Sequence, residues 1–484
     1  MLVRFHKAIL VIVLSIIGPF LFIGCNSSSK SDDAIWEGDY TVFSKADIEL
    51  IKGYNEITGN LTIGGTPEEP SSLISIEGLT ALKKIGGLSI ENNLNLRSLQ
   101  GLGSITHIEG SLYIVQNPLL ESIGVITNTT HIATDIVIAS NPALKAVNGL
   151  NNLTHIENLV ISDNDAMESI HGFNRLTTVA GDISILLNNS LVSIDGFDSL
   201  KTSGTLLISD NPALESISDF PALSSVNGYI IFSSLDSLSY IDGFNHVTQV
   251  GELQVVLNDS LLELNGFEKL TSAEFLRIDR CYNLISFEGL SRIEKASNVM
   301  IVHNASLSNL NGLMSLKKVE ELLTIGWNDT LVNLDGLSKL EYVGWVFGIV
   351  DNNSLESLRG LNRYTSLDDG FIDISGNQSL TSLLGLEKRE QLFSLTIESN
   401  PSLLNLSDLE RLSEVAHLKI INNNQLVSLN LDSLRAVNTT FEVRDNPELC
   451  NYLAIDLKEQ VEADSAIDGD ITISGNKDCS TQSH

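Results

Sequence analysis

The chain has 484 residues, 43% of them hydrophobic, with 29 Lys and Arg against 61 Asp and Glu, a formal net charge of −32. So acidic a surface repels nucleic acid and anionic lipid, and excludes both as partners drawn in by charge. It suits a long, soluble, exposed body, or one that meets cations or basic partners.

The first 24 residues read as a secretory signal. Arg4 and Lys7 form a basic start, an apolar run extends from Ala8 to Ile23, and Phe22-Ile23-Gly24-Cys25 resembles a lipobox. Gly24 is small enough for a signal peptidase, and Cys25 is the expected lipidation residue. A transmembrane reading is disfavoured, because the run is broken at Gly18-Pro19 and is short for a bilayer core of about 30 Å. Cleavage removes two basic residues, leaving 27 basic against 61 acidic, or −34. Residues 25–35 read as a flexible tether, polar from Asn26 to Asp33. The stretch Ser29 to Asp33 resembles the lysine-plus-acidic tag that sends some lipoproteins of Bacteroidota to the outer leaflet. The expected location is therefore the bacterial cell envelope, membrane-attached through lipid, at the outer membrane and surface-exposed.

Residues 36–60 read as an N-terminal cap. Ser44 precedes Asp47 by three, and Ile48 and Ile51 follow before Gly53, the pattern of a short capped helix over an open core.

Residues 61–449 repeat. The motif L-x-I-x-x-N-x-x-L recurs with its polar position at 93, 117, 141, 164, 188, 211, 235, 258, 281, 304, 328, 352, 377, 400, 423 and 446. That span of 353 residues over 15 intervals gives a mean period near 23.5, the signature of a solenoid. Asn holds 14 of the 16 positions: Asn93, Asn117, Asn141, Asn164, Asn188, Asn211, Asn258, Asn304, Asn328, Asn352, Asn377, Asn400, Asn423 and Asn446. Leu235 and Cys281 hold the others.

Within one coil, Leu206 and Ile208 are two apart, so they share the inner face of a short strand. Gly-Phe or Gly-Leu pairs such as Gly196-Phe197, Gly266-Phe267 and Gly336-Leu337 are expected to make a corner, where glycine accepts positive φ at little cost. The asparagine is expected inside. Corner amides leave the strand ladder there, and each would lose roughly 1–3 kcal/mol if buried unpaired. A stack of side-chain amides can bond them and one another. Sequons such as Asn304-x-Ser306 and Asn328-x-Thr330 arise from this ladder, so glycosylation is a poor reading of them.

The frame LxxLxxIxGxLxIxxNxxL resembles the leucine-rich repeat, whose ladder position takes Asn or Cys. It also resembles the receptor L-domain family: GYNEITGNLTIGG from Gly53 is similar to that family's first strand. NPELC from Asn446 and ISGNKDC from Ile473 are similar to its C-terminal cap. The chain departs from that family in having more coils, no cysteine-rich spacer and no kinase, so growth-factor binding does not transfer. The expected fold is one right-handed β-solenoid of about 17 coils, with helical caps at both ends.

Residues 450–484 read as the C-terminal cap, with a helix over residues 451–463. Cys450 and Cys479 lie 29 apart in a chain expected to be exported, so a disulfide is favoured. Cys281 is read as an inert inward thiol.

Nothing in the chain matches a nucleophile elbow, a zincin helix or a phosphate loop, and the histidines are dispersed. No histidine pairs with a cysteine or carboxylate at metal-ligand spacing, so neither a metal nor a cofactor is expected. Asp368-Asp369 and Asp468/Asp470 lack the ligand count of a calcium loop. The one unusual outward patch comes from register. Arg277, Asp279 and Arg280, then Met300 and His303, then Trp327 fall four, two or one before the ladder position in three neighbouring coils. Arg277, Arg280, His303 and Trp327 are the candidate binding residues. The expected function is recognition or adhesion without catalysis, toward an extracellular protein or glycan. A carbohydrate-active enzyme on a β-helix and a structural envelope spacer are the other readings.

Overall fold

A computed structural model describes residues 34–218, 220–364 and 370–479. Cys25, the tether up to residue 33 and Asp368-Asp369 lie outside the described residues. The alternation of one coil sets the architecture. Leu206 and Ile208 point inward and pair in register with Ile183 and Ile185 of the coil before and with Ile230 and Phe232 of the coil after. Repetition of that parallel step stacks about 18 turns into one β-solenoid. The ladder begins inside the segment read as a cap, because Tyr40–Val42 already pairs with Leu61, Thr62 and Ile63. It ends inside the other cap, where Ile471–Ser474 pairs with Phe441–Arg444. The two caps are thus coils with a helix inserted.

Helix α1, Lys45–Ile51, buries Ile48 and Ile51 against the first coils. Its start is fixed by Asp47, whose Oδ2 accepts from the Ser44 amide and the Ser44 hydroxyl, both at 2.8 Å. Helix α2, Asn451–Asp464, buries Ala454, Leu457 and Val461. It is pinned by Gln460, whose Nε2 donates to Leu434 O at 2.8 Å. Cys450 and Cys479 are disulfide-bonded with their Cα atoms 5.5 Å apart, tying the start of α2 to the end of the last strand.

The interior carries two axial rows. One is aromatic: Phe173, Phe197, Phe220, Phe244 and Phe267 stack with ring centroids 5.1–5.4 Å apart. All but Phe220 follow the corner glycine of their coil, so the Gly-Phe pairs are a packing device as well as a turn. Among the corner glycines of this row Gly196 and Gly243 have positive φ, at 98° and 99°. Gly266 and Gly336 are required for space instead. A Cβ on Gly266 would lie 2.7 Å from Asp242 Cα, and one on Gly336 would overlap Leu310 O.

The second row is the asparagine ladder, whose fourteen members from Asn93 to Asn446 are fully buried. Asn117 is typical. Its Nδ2 reaches Ile90 O at 2.9 Å, Val115 O at 3.1 Å and Asn141 Oδ1 at 3.1 Å. Its Oδ1 accepts from Asn93 Nδ2 at 2.9 Å and from the Asn93 amide at 3.3 Å. Most rungs repeat this pattern, while Asn258, Asn304 and Asn328 bond the carbonyl of the preceding coil alone. The row continues past Asn446 to Asn476, whose Oδ1 accepts from the Asn446 amide at 3.1 Å. The first rung, Asn93, has a buried Oδ1 with no donor, since no earlier amide points at it.

The two substituted rungs behave differently. Leu235 joins the ladder only through its backbone, donating its N–H to Asn258 Oδ1 at 3.1 Å. Cys281 keeps a weak version of the pattern, with Sγ 3.6 Å from Val255 O and its amide 3.1 Å from Asn304 Oδ1. Burial pushes the Cys281 thiol up to about 12.

Two outcomes follow from this interior. Asn328→Leu should cost about 1–3 kcal/mol of unfolding free energy by stranding corner amides and carbonyls, whereas Leu235→Asn should cost less or stabilise, since Asn211 and Asn258 flank it. Denaturant unfolding of the two variants checks this, and equal, negligible shifts would contradict it. Cys281 should resist an aromatic disulfide reagent at pH 8 in the folded protein, assayed with Cys25 replaced by Ser, and react fully on denaturation. Between the ordinary thiol pKa of about 8.5 and about 12, only the unfolded state loses the proton, so this thiol makes stability fall as pH rises.

Candidate functional site

The residue just before each rung turns the chain out of the strand, and it does so in the left-handed region. Fifteen non-glycine residues at this position, from Asn92 to Asp445, have φ between 53° and 59°. Asn and Asp tolerate this conformation, and six of the fifteen are Asn or Asp. Arg280, His303 and Trp327 occupy it at 55°, 57° and 54° in consecutive coils, and of the three only histidine shares some of that tolerance. Every coil imposes this turn, so what sets these three apart is the size and chemistry of their side chains.

The same backbone bond aligns all three. The amides of Arg280, His303 and Trp327 donate to Val302 O, Gly326 O and Val350 O at 3.2, 3.0 and 2.9 Å, each onto the following coil. Their side chains consequently form a row along the solenoid axis. Arg277 sits on the adjoining strand Ser272–Asp279, opposite Met300, which is opposite Thr324.

Asp279 organises the group. The pattern reads it as outward and accessible, but its side chain is only 2% exposed, because three partners cover it. Its Oδ2 accepts from Arg277 Nη2 at 2.5 Å and from Arg280 Nη1 at 3.4 Å. Its Oδ1 lies 3.1 Å from His303 Nδ1. An ionised carboxylate only accepts, so Nδ1 carries the proton in that contact. The His303 ring then lies flat against Trp327, with centroids 4.7 Å apart and planes 5° apart. Trp327 remains 40% exposed, and the Arg280 side chain 42%. Arg277 is the most covered of the basic residues, and its Nε is buried without a partner. The arrangement is a preorganised surface: one buried carboxylate fixes two guanidinium groups and an imidazole, and the imidazole supports an indole face.

A shallow groove of about 400 Å³ opens on the same sheet face, lined by Glu252, Glu274, Phe275, Asn298, Met300 and Glu321 among others. Two of its carboxylates are already engaged, Glu252 by Gln254 Nε2 at 2.6 Å and Glu321 by Asn298 Nδ2 at 3.0 Å. The basic row is therefore bordered by acidic and apolar side chains. Sequence reasoning missed both this border and the burial of Asp279; the i, i+2 alternation of Glu252, Gln254 and of Arg277, Asp279 was the available signal.

No family model matches the chain, and no curated protein matches it. Among solved structures, a leucine-rich repeat protein of Leptospira interrogans is similar at 15% identity, covering 89% of this chain and all of that one, with a TM-score of 0.26. A leucine-rich repeat protein of Bacteroides ovatus is similar at 14% identity, covering 67% and 82%, with a TM-score of 0.25. On the geometry of its own coils, the chain is a leucine-rich-repeat-like solenoid.

Proposed function

We propose that this protein is a non-enzymatic recognition lipoprotein of the bacterial cell envelope, anchored through Cys25 and displayed at the outer membrane. The row Arg280, His303 and Trp327, with Arg277, is its contact surface for an extracellular protein or glycan. The observation that carries the reading is the Asp279 cluster: in three consecutive coils large basic and aromatic side chains are locked together by one buried carboxylate and a ring stack but left open to solvent. Such rigid aromatic and guanidinium groups lose little freedom on binding, and residues of these types dominate recognition energies. Arg280 offers paired donors to a carboxylate or to sugar hydroxyls. Trp327 offers a flat face to a sugar ring or an aliphatic chain. The acidic border steers a partner by charge and penalises anionic surfaces that would otherwise settle on the arginines.

For a partner captured by pull-down on the protein, Trp327→Ala should weaken binding by about 2 kcal/mol or more while leaving the melting temperature nearly unchanged. Arg280→Ala should act in the same direction. Affinity that ignores both changes removes the surface from the account, and a large fall in stability makes these residues packing groups instead. The anchor has its own check. Labelled palmitate should enter the wild-type protein and fail to enter Cys25→Ala, and equal labelling of both would contradict lipidation at that residue.

A further inference from the structure

Thr-His-Ile occurs in three consecutive coils, at residues 106–108, 130–132 and 154–156. In each, the isoleucine is buried, so the histidine before it faces solvent. His107–Ile108 and His131–Ile132 are paired parallel strands with His107 directly opposite His131. The two rings stand 5.8 Å apart between centroids and are tilted by 41°. Two residues on from His107, Glu109 extends Oε2 to within 3.9 Å of His131 Nε2.

The state of the His107 ring can be derived. The Thr106 hydroxyl donates its proton to Lys83 O at 3.1 Å, so toward His107 Nδ1, 2.9 Å away, it can only accept. Nδ1 therefore carries the ring proton and Nε2 presents a bare lone pair. That is the arrangement in which an outer hydrogen bond fixes the tautomer and orientation of a metal-binding imidazole.

We infer that His107, His131 and Glu109 form a surface site for a divalent transition-metal ion of the zinc and copper class. Two imidazole nitrogens at about 2.0–2.1 Å from one such ion place their ring centres roughly 5–6 Å apart, which matches the spacing across these two strands. A carboxylate oxygen and an imidazole nitrogen on the same ion are about 3.3 Å apart, so Glu109 needs to close by only a fraction of an ångström. Among the described residues no three such side chains already converge on a point. All three here are exposed and free to take up that small difference. Glu109 is shared with Lys84, whose Nζ is 3.4 Å from Oε1, but Lys84 also faces Glu56 at 3.7 Å and keeps that partner when Glu109 turns to the metal. The acidic surface raises the local concentration of cations. Imidazole and carboxylate donors on one flank leave the remaining positions to water. The site lies several coils from the Asp279 cluster and does not depend on it.

Calorimetric titration of the untagged protein with zinc should show one site per chain. His131→Ala should weaken it at least about tenfold, as should His107→Ala, and Glu109→Gln should weaken it less. His246→Ala, which alters an exposed histidine elsewhere, should leave it unchanged, and none of these variants should move the melting temperature of the metal-free protein. With copper, electron paramagnetic resonance should report two coordinated imidazole nitrogens in the wild type and one in His131→Ala. Absence of saturable zinc binding, binding indifferent to His131→Ala, or binding lost in His246→Ala would each overturn the assignment.

Discussion

Everything in this molecule depends on a buried polar corner. A coil of about 23 residues must turn inside a stack, and each turn leaves carbonyl and amide groups out of reach of both the strand ladder and water. Left unpaired, each would cost roughly 1–3 kcal/mol, and a solenoid multiplies that cost by its coils. The asparagine side chain resolves it with one group, since its Nδ2 satisfies carbonyls of two coils while its Oδ1 receives the neighbouring amide. The bonds run along the axis, so each rung is correct only if the next is in register.

Register is what gives the exterior its meaning. Because the rungs fix every coil at the same phase, residues one step before the rung line up for the whole length of the solenoid. Those two or three strands away align equally well. The basic and aromatic row at Arg280, His303 and Trp327 and the histidine pair at His107 and His131 are both products of that alignment. Neither group is close in sequence. In a solenoid, ligands or contact residues are separated by the repeat period, here 23 or 24, and conventional motif spacings do not find them.

This explains which parts were legible. The period, the inward leucines and isoleucines and the buried asparagines follow from polarity and spacing alone. Gly196-Phe197 and its equivalents are visible as corners, but their rings stack only because five coils in succession carry phenylalanine. The left-handed residue before each rung was not legible. Arg, His, Trp, Leu and Ser occupy it alongside Asn and Asp, so no composition marks it, and the tertiary ladder overrides local preference. The burial of Asp279 was not legible for a related reason. Alternation assigns it to the outer face correctly, but it cannot foresee that Arg277, Arg280 and His303 close over it. The helices at Lys45–Ile51 and Asn451–Asp464 interrupt the period without ending the sheet, so the continuation of the ladder into the two end segments was not legible from the repeat alone.

The central claim is that the asparagine amides are internal, mutually bonded and continuous along the axis. Selective 15N labelling of asparagine and transfer of the protein to D2O tests it directly. Side-chain NH2 signals of ladder residues such as Asn141, Asn304 and Asn400 should persist for hours at neutral pH, while those of exposed residues such as Asn189 and Asn353 should vanish at once. Loss of all side-chain signals at the same fast rate would place the asparagines in contact with water and remove the ladder from the account of this fold.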